Sequence, residues 1–182
     1  MKIIKLCRKI LRELFLRWRC KPRYDLERKI FPKIKNKRVL FVGVASYTAD
    51  YIKKLRGNDV WTIDVDPKVA QYGSKKHVIG SISQADEFFE KEFFDIVIIC
   101  GVFGYGLNEH KEGERVFNAV YKILKKNGIL LLGIENKYAG KIPERISNSK
   151  QFKRTSFCGF ESGYISASYK SGFYFFEFLE KI

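Results

Sequence analysis

The stretch VLFVGVASYTADY, residues 39–51, combines an apolar run, a turn that carries Gly43 and the beginning of a helix-like run. The apolar run predicts a buried β-strand over Val39–Val44, and the apolar spacing after it predicts a helix from Tyr47 to about Arg56. A strand, a glycine-bearing turn and a helix form many nucleoside sites, because the first N–H groups of the helix can bind a ligand. Any parallel strand that enters its crossover helix looks similar, so this stretch alone leaves both interpretations open.

The glycine pattern of this turn argues against a dinucleotide. A G-x-G-x-x-G fingerprint would place glycines at positions 43, 45 and 48, where the chain has Gly43, Ala45 and Thr48. A pyrophosphate needs bare backbone at these positions, and two of them carry a side chain. The turn therefore disfavours NAD more strongly than it disfavours a nucleoside that has no pyrophosphate.

Strand-like and helix-like runs alternate along the rest of the chain. After the first strand, apolar runs predict four more strands, at 60–65, 77–82, 93–100 and 129–134. The longest predicted helix runs from about Lys111 to Lys126, and Asp66 before Pro67 is typical of a helix N-cap. This alternation predicts an α/β fold with a doubly wound, Rossmann-like parallel sheet.

The C-terminal runs predict a different kind of pairing. SGYIS and FYFFEFL are separated by too few residues for a crossover helix, so they predict an antiparallel hairpin. Phe173–Leu179 is apolar at nearly every position, which predicts a strand inside the sheet and not at its edge. We therefore expect a seven-stranded, mostly parallel sheet that contains one antiparallel strand from this hairpin.

The N-terminal segment predicts a basic amphipathic helix. The formal net charge of the chain is +15, and residues 1–24 hold nine Lys or Arg against Glu13 alone. Apolar residues recur there at steps of three and four, as on one stripe of a helix. Such a helix, here residues 1–21, can lie on an anionic membrane or pack on protein, and both interpretations stay open. We expect residues 1–36 to form this helix and a polar linker, and 37–182 to form the domain.

Composition narrows the class of protein further. At 46% hydrophobic residues, the chain is expected to bury a core and fold as a unit. The four cysteines and two histidines show neither C-x-x-C nor another metal-ligand spacing. We therefore expect no metal site and no disulfide framework, and a cytoplasmic protein, peripheral at the inner face of the membrane if the N-terminal helix binds lipid.

Residues 37–182 resemble a class I S-adenosylmethionine-dependent methyltransferase. The resemblance lies in VLFVGVAS, WTIDVDP and FDIVIICGVFGYGLN, which are similar to the family's first, second and fourth strands with their loops, and in the terminal FYFFEFLEK. VGVASYTADY, TIDVDP, YGSKKHVIGSI and GVFGYGLN are also similar to a small subgroup of short methyltransferase-like proteins. The resemblance implies S-adenosylmethionine as the cofactor and methyl transfer as the activity.

Asp64 is the strongest candidate for binding that cofactor. It closes the second strand, where a carboxylate can accept hydrogen bonds from both ribose hydroxyls of an adenosine. Asp66 is better placed to cap the next helix, which leaves Asp64 without that role. The resemblance implies that Ser81 and Ile82 lie near the adenine. The residues predicted to bind the cofactor are Gly43, Val44, Ala45, Ser46, Tyr47, Asp64, Val65, Ser81, Ile82 and Gly101.

The loop GVFGYGLN, residues 101–108, follows the fourth strand, where the switch point of such a sheet places ligands. Methyl transfer needs an aligned acceptor and, for a hydroxyl acceptor, often a base. Tyr105, Asn108 and His110 are the predicted catalytic residues, although a lone histidine in a polar loop is more often only a solvated side chain.

The function predicted first is methyl transfer to a small-molecule or glycan-type acceptor. RNA methylation is the alternative that the basic charge favours, although no RNA-binding module is recognisable and an N-P-P-Y type motif is absent from the sequence. A third hypothesis is a catalytically inactive scaffold that docks to a membrane or a partner protein through its N-terminal helix.

Overall fold

The structure is a computed structural model that describes residues 7, 10, 11, 14, 21–107, 109–135, 138, 150–169 and 172–182. Its centre is one eight-stranded sheet in the order β3-β2-β1-β4-β5-β8-β6, with β7 also paired to β8. The strands are β1 (Arg38–Val42), β2 (Asp59–Asp64), β3 (Lys76–Ile79), β4 (Phe94–Cys100), β5 (Leu124–Glu135), β6 (Phe152–Arg154), β7 (Tyr164–Tyr169) and β8 (Gly172–Lys181).

Helices cover both faces of this sheet. They are α1 (Lys21–Asp25), which continues into a π-helical turn (Leu26–Ile30) and a 3-10 turn (Phe31–Lys33), then α2 (Ala49–Lys54), α3 (Ala85–Phe88) and α4 (His110–Ile123). Two further 3-10 turns, Pro67–Tyr72 and Ile82–Gln84, follow β2 and β3. Asp66 caps the first of them by accepting a hydrogen bond from the Lys68 amide at 2.9 Å, as predicted.

The predicted doubly wound topology is confirmed. Strand β1 lies between β2 and β4 and is parallel to both, with Val42 opposite Ile63 on one side and Ile99 on the other. The chain order therefore reverses direction between β1 and β4, and the crevice beyond the carboxyl ends of these strands is where such folds bind ligands.

Strand β8 lies inside the sheet, as its apolar sequence predicts. It runs antiparallel between β5 on one side and β6 and β7 on the other. Strand β6 pairs with the last residues of β8 and β7 with the first, so the two share one edge position. The eight strands thus occupy the seven positions that the sequence predicts.

Alternate residues of each strand face opposite sides of the sheet and form two core clusters. Leu40, Val97 and Leu132 belong to the cluster under α4. Phe41, Ile98 and Leu131 belong to the second cluster, which α2 and residues 26–34 cover.

Residues 21–34 differ from the polar linker that the sequence predicts. They are helical, and Leu26, Ile30, Phe31 and Ile34 are at most 3% exposed within the second core cluster. Two buried carboxylates, of Asp25 and Glu27, are stabilised by ion pairs, since a buried charge requires a partner. The paired nitrogens lie 2.6–3.2 Å from carboxylate oxygens and belong to Lys21 and Lys29 for Asp25, and to Arg23 and Lys54 for Glu27.

Two predicted boundaries move. Helix α4 ends at Ile123, because Leu124 is already extended and its buried carbonyl accepts a hydrogen bond from Lys181 Nζ at 2.7 Å. Asn127, which follows the predicted end of this helix, has φ of 59° and lies in an irregular part of β5. Strand β3 ends at Ile79, so Ser81 and Ile82 begin the next 3-10 turn and do not end the strand.

The predicted N-terminal helix is confirmed at the four positions that the structure describes before residue 21. Cys7, Ile10, Leu11 and Leu14 are helical, and the last three are 50%, 65% and 57% exposed. Within the described ranges, none of the helices is both long enough and apolar enough to cross a membrane.

Candidate active site

A cleft of about 240 Å³ opens at the carboxyl ends of β1, β2 and β4. It contains eight of the ten residues predicted to bind the cofactor, together with the predicted catalytic residue Tyr105. Those eight are Gly43, Val44, Tyr47, Asp64, Val65, Ser81, Ile82 and Gly101. The switch point of the sheet thus brings together residues that lie up to 62 positions apart in the sequence, from Gly43 to Tyr105.

Ala45 and Ser46 do not line this cleft. Thr48 closes their turn, because its hydroxyl accepts a hydrogen bond from the Ala45 amide at 2.8 Å and donates one to the Ala45 carbonyl at 2.9 Å. The Ala45 N–H is therefore bonded within the turn. Gly43 keeps its predicted position at the cleft with φ of +79°, and a Cβ there would lie 3.0 Å from Cγ2 of Val102.

Asp64 holds two loops together at the edge of the cleft. Its Oδ2 accepts a hydrogen bond from the Val44 amide at 2.8 Å, and its Oδ1 accepts one from the Asp66 amide at 2.9 Å. An ionised carboxylate has about four acceptor positions, so these two bonds leave further capacity toward the cleft. These two hydrogen bonds therefore fix both the orientation of the Asp64 carboxylate and the position of the turn after β1.

Apolar side chains close the inner side of the cleft. Ile63, Ile82 and Leu107 are at most 5% exposed and line it, while Val65 is 67% exposed at its mouth. The Ser81 hydroxyl accepts a hydrogen bond from the Ser83 amide at 3.2 Å and lies 2.8 Å from the Ser83 hydroxyl. The inner side of the cleft is therefore mostly apolar.

The loop after β4 forms the opposite wall. Gly101 and Gly104 have φ of +72° and +86°, which a side chain rarely permits. Tyr105 projects from this loop, its ring packs edge-on against Tyr138 at 5.2 Å, and its hydroxyl donates a hydrogen bond to Glu135 Oε2 at 3.1 Å. Asn108, a predicted catalytic residue, lies outside the described residues. The structure describes only the backbone of His110, at the first position of α4.

A second cavity of about 260 Å³ adjoins the cleft. Tyr47, Cys100, Gly101 and Tyr105 line both, so the two spaces meet along these residues. The other residues that line the second cavity are Arg23, Leu26, Thr48, Tyr51, Glu135, Tyr174 and Phe176. Sequence reasoning missed this set. Its members come from the N-terminal segment, α2, β5 and β8, and only the folded sheet brings them together.

Arg23 forms part of the wall of the second cavity. Its Nε donates to Glu27 Oε1 at 2.6 Å and its Nη2 to the Tyr47 carbonyl at 3.0 Å, while the guanidinium lies 5.1 Å from the Tyr51 ring centroid. These contacts join the N-terminal segment to the turn after β1. Arg23 and Leu26 of the N-terminal segment therefore line the second cavity.

The Cys100 sulfur lies between the two cavities. Desolvation raises the pKa of the Cys100 thiol far above its usual range, so the thiol stays protonated. Among the described residues, no three His, Cys, Asp or Glu side chains are grouped to hold a metal ion.

Comparison with known proteins assigns this fold and site to a class. Residues 42–132, half of the chain, match the methyltransferase domain family. The chain belongs to this family, and the predicted class and cofactor, S-adenosylmethionine, are confirmed by that membership.

Solved methyltransferases share the fold. The N-methyltransferase NodS from Bradyrhizobium japonicum WM9 is 15% identical, with a TM-score of 0.67 over 88% of this chain and 94% of NodS. NodS solved in complex with S-adenosyl-L-homocysteine is 14% identical, with a TM-score of 0.67 over 91% of this chain and 90% of NodS. A TehB-like S-adenosylmethionine-dependent methyltransferase from Corynebacterium glutamicum is 15% identical, with a TM-score of 0.58 over 82% of each chain. No curated protein matches the sequence.

Proposed function

We propose that this methyltransferase transfers a methyl group from S-adenosylmethionine to a small-molecule or glycan-type acceptor bound in the second cavity. The observation that carries the proposal is the junction of the two cavities along Tyr47, Cys100, Gly101 and Tyr105. A cofactor in the cleft and an acceptor in the second cavity would meet there. Reaction needs the two reacting atoms within about 3–3.5 Å of each other, and adjoining sites make that approach possible.

The residues of the cleft fit this cofactor. Asp64 can accept the ribose hydroxyls, Ile63, Ile82 and Leu107 offer an apolar slot for the adenine, and bare backbone at Gly43 leaves room for the methionine part. When bound, S-adenosylmethionine supplies a methyl group that its sulfonium sulfur activates for attack. The protein's own residues orient the acceptor and exclude water from it.

The size of the second cavity favours a small acceptor. Its volume of about 260 Å³ lies near the lower end of small-molecule pockets, which span about 300–1,000 Å³. Its walls are aromatic, with a single acidic side chain, Glu135, among the residues that line it. Aromatic side chains bind a sugar ring or another compact organic group well.

Calorimetric titration with S-adenosylhomocysteine tests the cofactor site. Gly43→Ala should weaken binding about tenfold or more, because a side chain at φ of +79° costs about 1–2 kcal/mol and the new Cβ would crowd Val102. The matched control is Gly106→Ala. Gly106 lines the same cleft, but a Cβ at that position would meet no atom within 4 Å. Its affinity should stay within about twofold of the unaltered protein.

Two results would contradict the assignment of this cleft. One is the absence of binding by the unaltered protein to both S-adenosylmethionine and S-adenosylhomocysteine. The other is equal affinity in the two glycine variants. Tighter binding of NADH than of either nucleoside would also overturn the exclusion of a dinucleotide.

For the N-terminal helix, we infer that it docks on an anionic membrane surface. Ile10, Leu11 and Leu14 share one stripe of the helix and are half or more exposed. Residues 1–24 carry nine basic residues against one acid, which complements anionic lipid headgroups. Apolar side chains in the acyl boundary and basic ones at the headgroups form a sufficient basis for peripheral binding.

Co-sedimentation with vesicles tests this docking. Changing Ile10, Leu11 and Leu14 together to serine should weaken binding to phosphatidylglycerol vesicles at least tenfold, since burying a side chain of this size contributes about 1.5–3 kcal/mol. The control variant changes Ile79 and Ile182 to serine, and it should leave binding unchanged. These two side chains are 55% and 45% exposed elsewhere on the domain. Equal binding of the unaltered protein to phosphatidylcholine vesicles, or none to either, would contradict the inference.

A further inference from the structure

Glu135 stands at the inner wall of the second cavity, where β5 meets β8. It is the last residue of β5 and lies opposite Tyr174 in the antiparallel register. Directly opposed residues project from the same face of a sheet, so both side chains point into the same space. Glu135 is only 6% exposed, although its side chain is a carboxylate.

Aromatic side chains surround this carboxylate. The Tyr105 hydroxyl donates to Glu135 Oε2 at 3.1 Å, and the Tyr174 ring lies 5.1 Å from that of Phe176. Gly133, two residues before Glu135, makes the arrangement possible, because a Cβ there would lie 2.8 Å from the Phe176 ring. Tyr51 completes the aromatic lining.

A carboxylate among aromatic rings attracts one kind of ligand group. An ammonium gains charge-assisted hydrogen bonds from the carboxylate and cation–π attraction from the ring faces. A neutral hydroxyl of the same shape can also donate a hydrogen bond to the carboxylate, but it carries no positive charge for the carboxylate and the ring faces to attract. A carboxylate ligand would meet repulsion from Glu135. Arg23 also lines this cavity, and it donates hydrogen bonds to Glu27 and to the Tyr47 carbonyl.

We propose that the methyl acceptor is an amine whose nitrogen binds at Glu135. This rests on the proposed function, since it names the chemical class of the acceptor in the second cavity. The incoming ammonium gives one proton to the Glu135 carboxylate and so exposes its lone pair. The nitrogen then forms the N–CH₃ bond as the cofactor's S–CH₃ bond breaks, with that electron pair left on sulfur. Glu135 returns its proton to solvent as the methylated ammonium leaves.

Three probes of one shape test the proposal. Benzylamine, benzyl alcohol and benzoate are titrated separately into protein saturated with S-adenosylhomocysteine. Benzylamine should bind at least tenfold more tightly than the other two. Glu135→Gln, which keeps the size of the side chain but removes its charge, should abolish this preference while S-adenosylhomocysteine affinity stays within about twofold. Glu180→Gln, on β8 opposite Ile129, is the matched control and should keep the preference.

The outcomes separate the two proposals. Binding of S-adenosylhomocysteine without a preference for benzylamine overturns the amine assignment and leaves the proposed function standing. A preference that survives in Glu135→Gln overturns the role of Glu135. Failure of the unaltered protein to bind S-adenosylhomocysteine overturns the proposed function itself. The comparison of the three probes on unaltered protein needs no variant, so it decides the acceptor class even where Glu135→Gln does not fold.

Discussion

Asp64→Ala should weaken S-adenosylhomocysteine binding by about 100-fold or more. Two hydrogen bonds from ribose hydroxyls to a carboxylate contribute about 1.5 kcal/mol each, and 1.4 kcal/mol corresponds to a factor of ten. The variant also loses the bonds that Asp64 accepts from the Val44 and Asp66 amides, so the turn after β1 loses a fixed partner. Isothermal titration calorimetry measures the effect directly.

Asp66→Ala is the matched control for this experiment. The same residue type is removed two positions along the chain, where its side chain accepts a hydrogen bond from the Lys68 amide and caps a 3-10 turn. Loss of such a cap costs about 1 kcal/mol of stability, and we expect cofactor affinity to change less than about threefold. A similar loss of cofactor affinity in the two variants would mean that Asp64 only holds the two loops together through its hydrogen bonds to the Val44 and Asp66 amides, and does not bind the ribose.

Phe178→Ala should lower the free energy of unfolding by about 3–5 kcal/mol, the usual cost of truncating a fully buried phenylalanine. Phe178 has no exposed surface, and its ring lies 5.4 Å from that of Phe157 and 5.9 Å from that of Phe160. Because Phe178 lies within the second core cluster, the cavity left by the ring is closed to solvent. Urea denaturation followed by far-ultraviolet circular dichroism measures the change.

Phe88→Ala provides the comparison, since Phe88 is 43% exposed and packs mainly over Gly80. The loss there should stay below about 1.5 kcal/mol. A loss below about 1 kcal/mol in Phe178→Ala would contradict the position of β8 inside the sheet.

The residues that line the cleft were predictable where they follow strands directly. In a parallel sheet the carboxyl ends of strands gather at one edge, so Gly43 after β1, Asp64 at the end of β2 and Gly101 after β4 had to lie close together. The absence of Ala45 and Ser46 from the lining of this cleft has a local cause. The Thr48 hydroxyl forms hydrogen bonds with the backbone of Ala45 and closes the turn. The presence of a threonine at position 48 does not by itself indicate which backbone groups its hydroxyl will bind.

Boundary errors had a tertiary cause. Helix-like spacing continues to about Lys126, yet α4 ends at Ile123 because the Leu124 carbonyl bonds to Lys181, which is 57 residues away in sequence. The segment 21–34 was predicted as polar because its charges are prominent. Its apolar residues are buried in the core, while ion pairs with its own and neighbouring lysines and arginines satisfy Asp25 and Glu27.

The sequence by itself determined the α/β class, the doubly wound order, the internal position of β8 and the position of Asp64 at the cleft. These features depend on periodicity and on strand ends, which are local properties of the chain. Only the tertiary structure determined which residues form the second cavity. Glu135 and Tyr174 meet through the antiparallel register of β5 and β8, and Arg23 reaches the Tyr47 carbonyl through the packing of residues 21–34 on the sheet. No local pattern encodes such pairings, because they arise from contacts between segments distant in sequence.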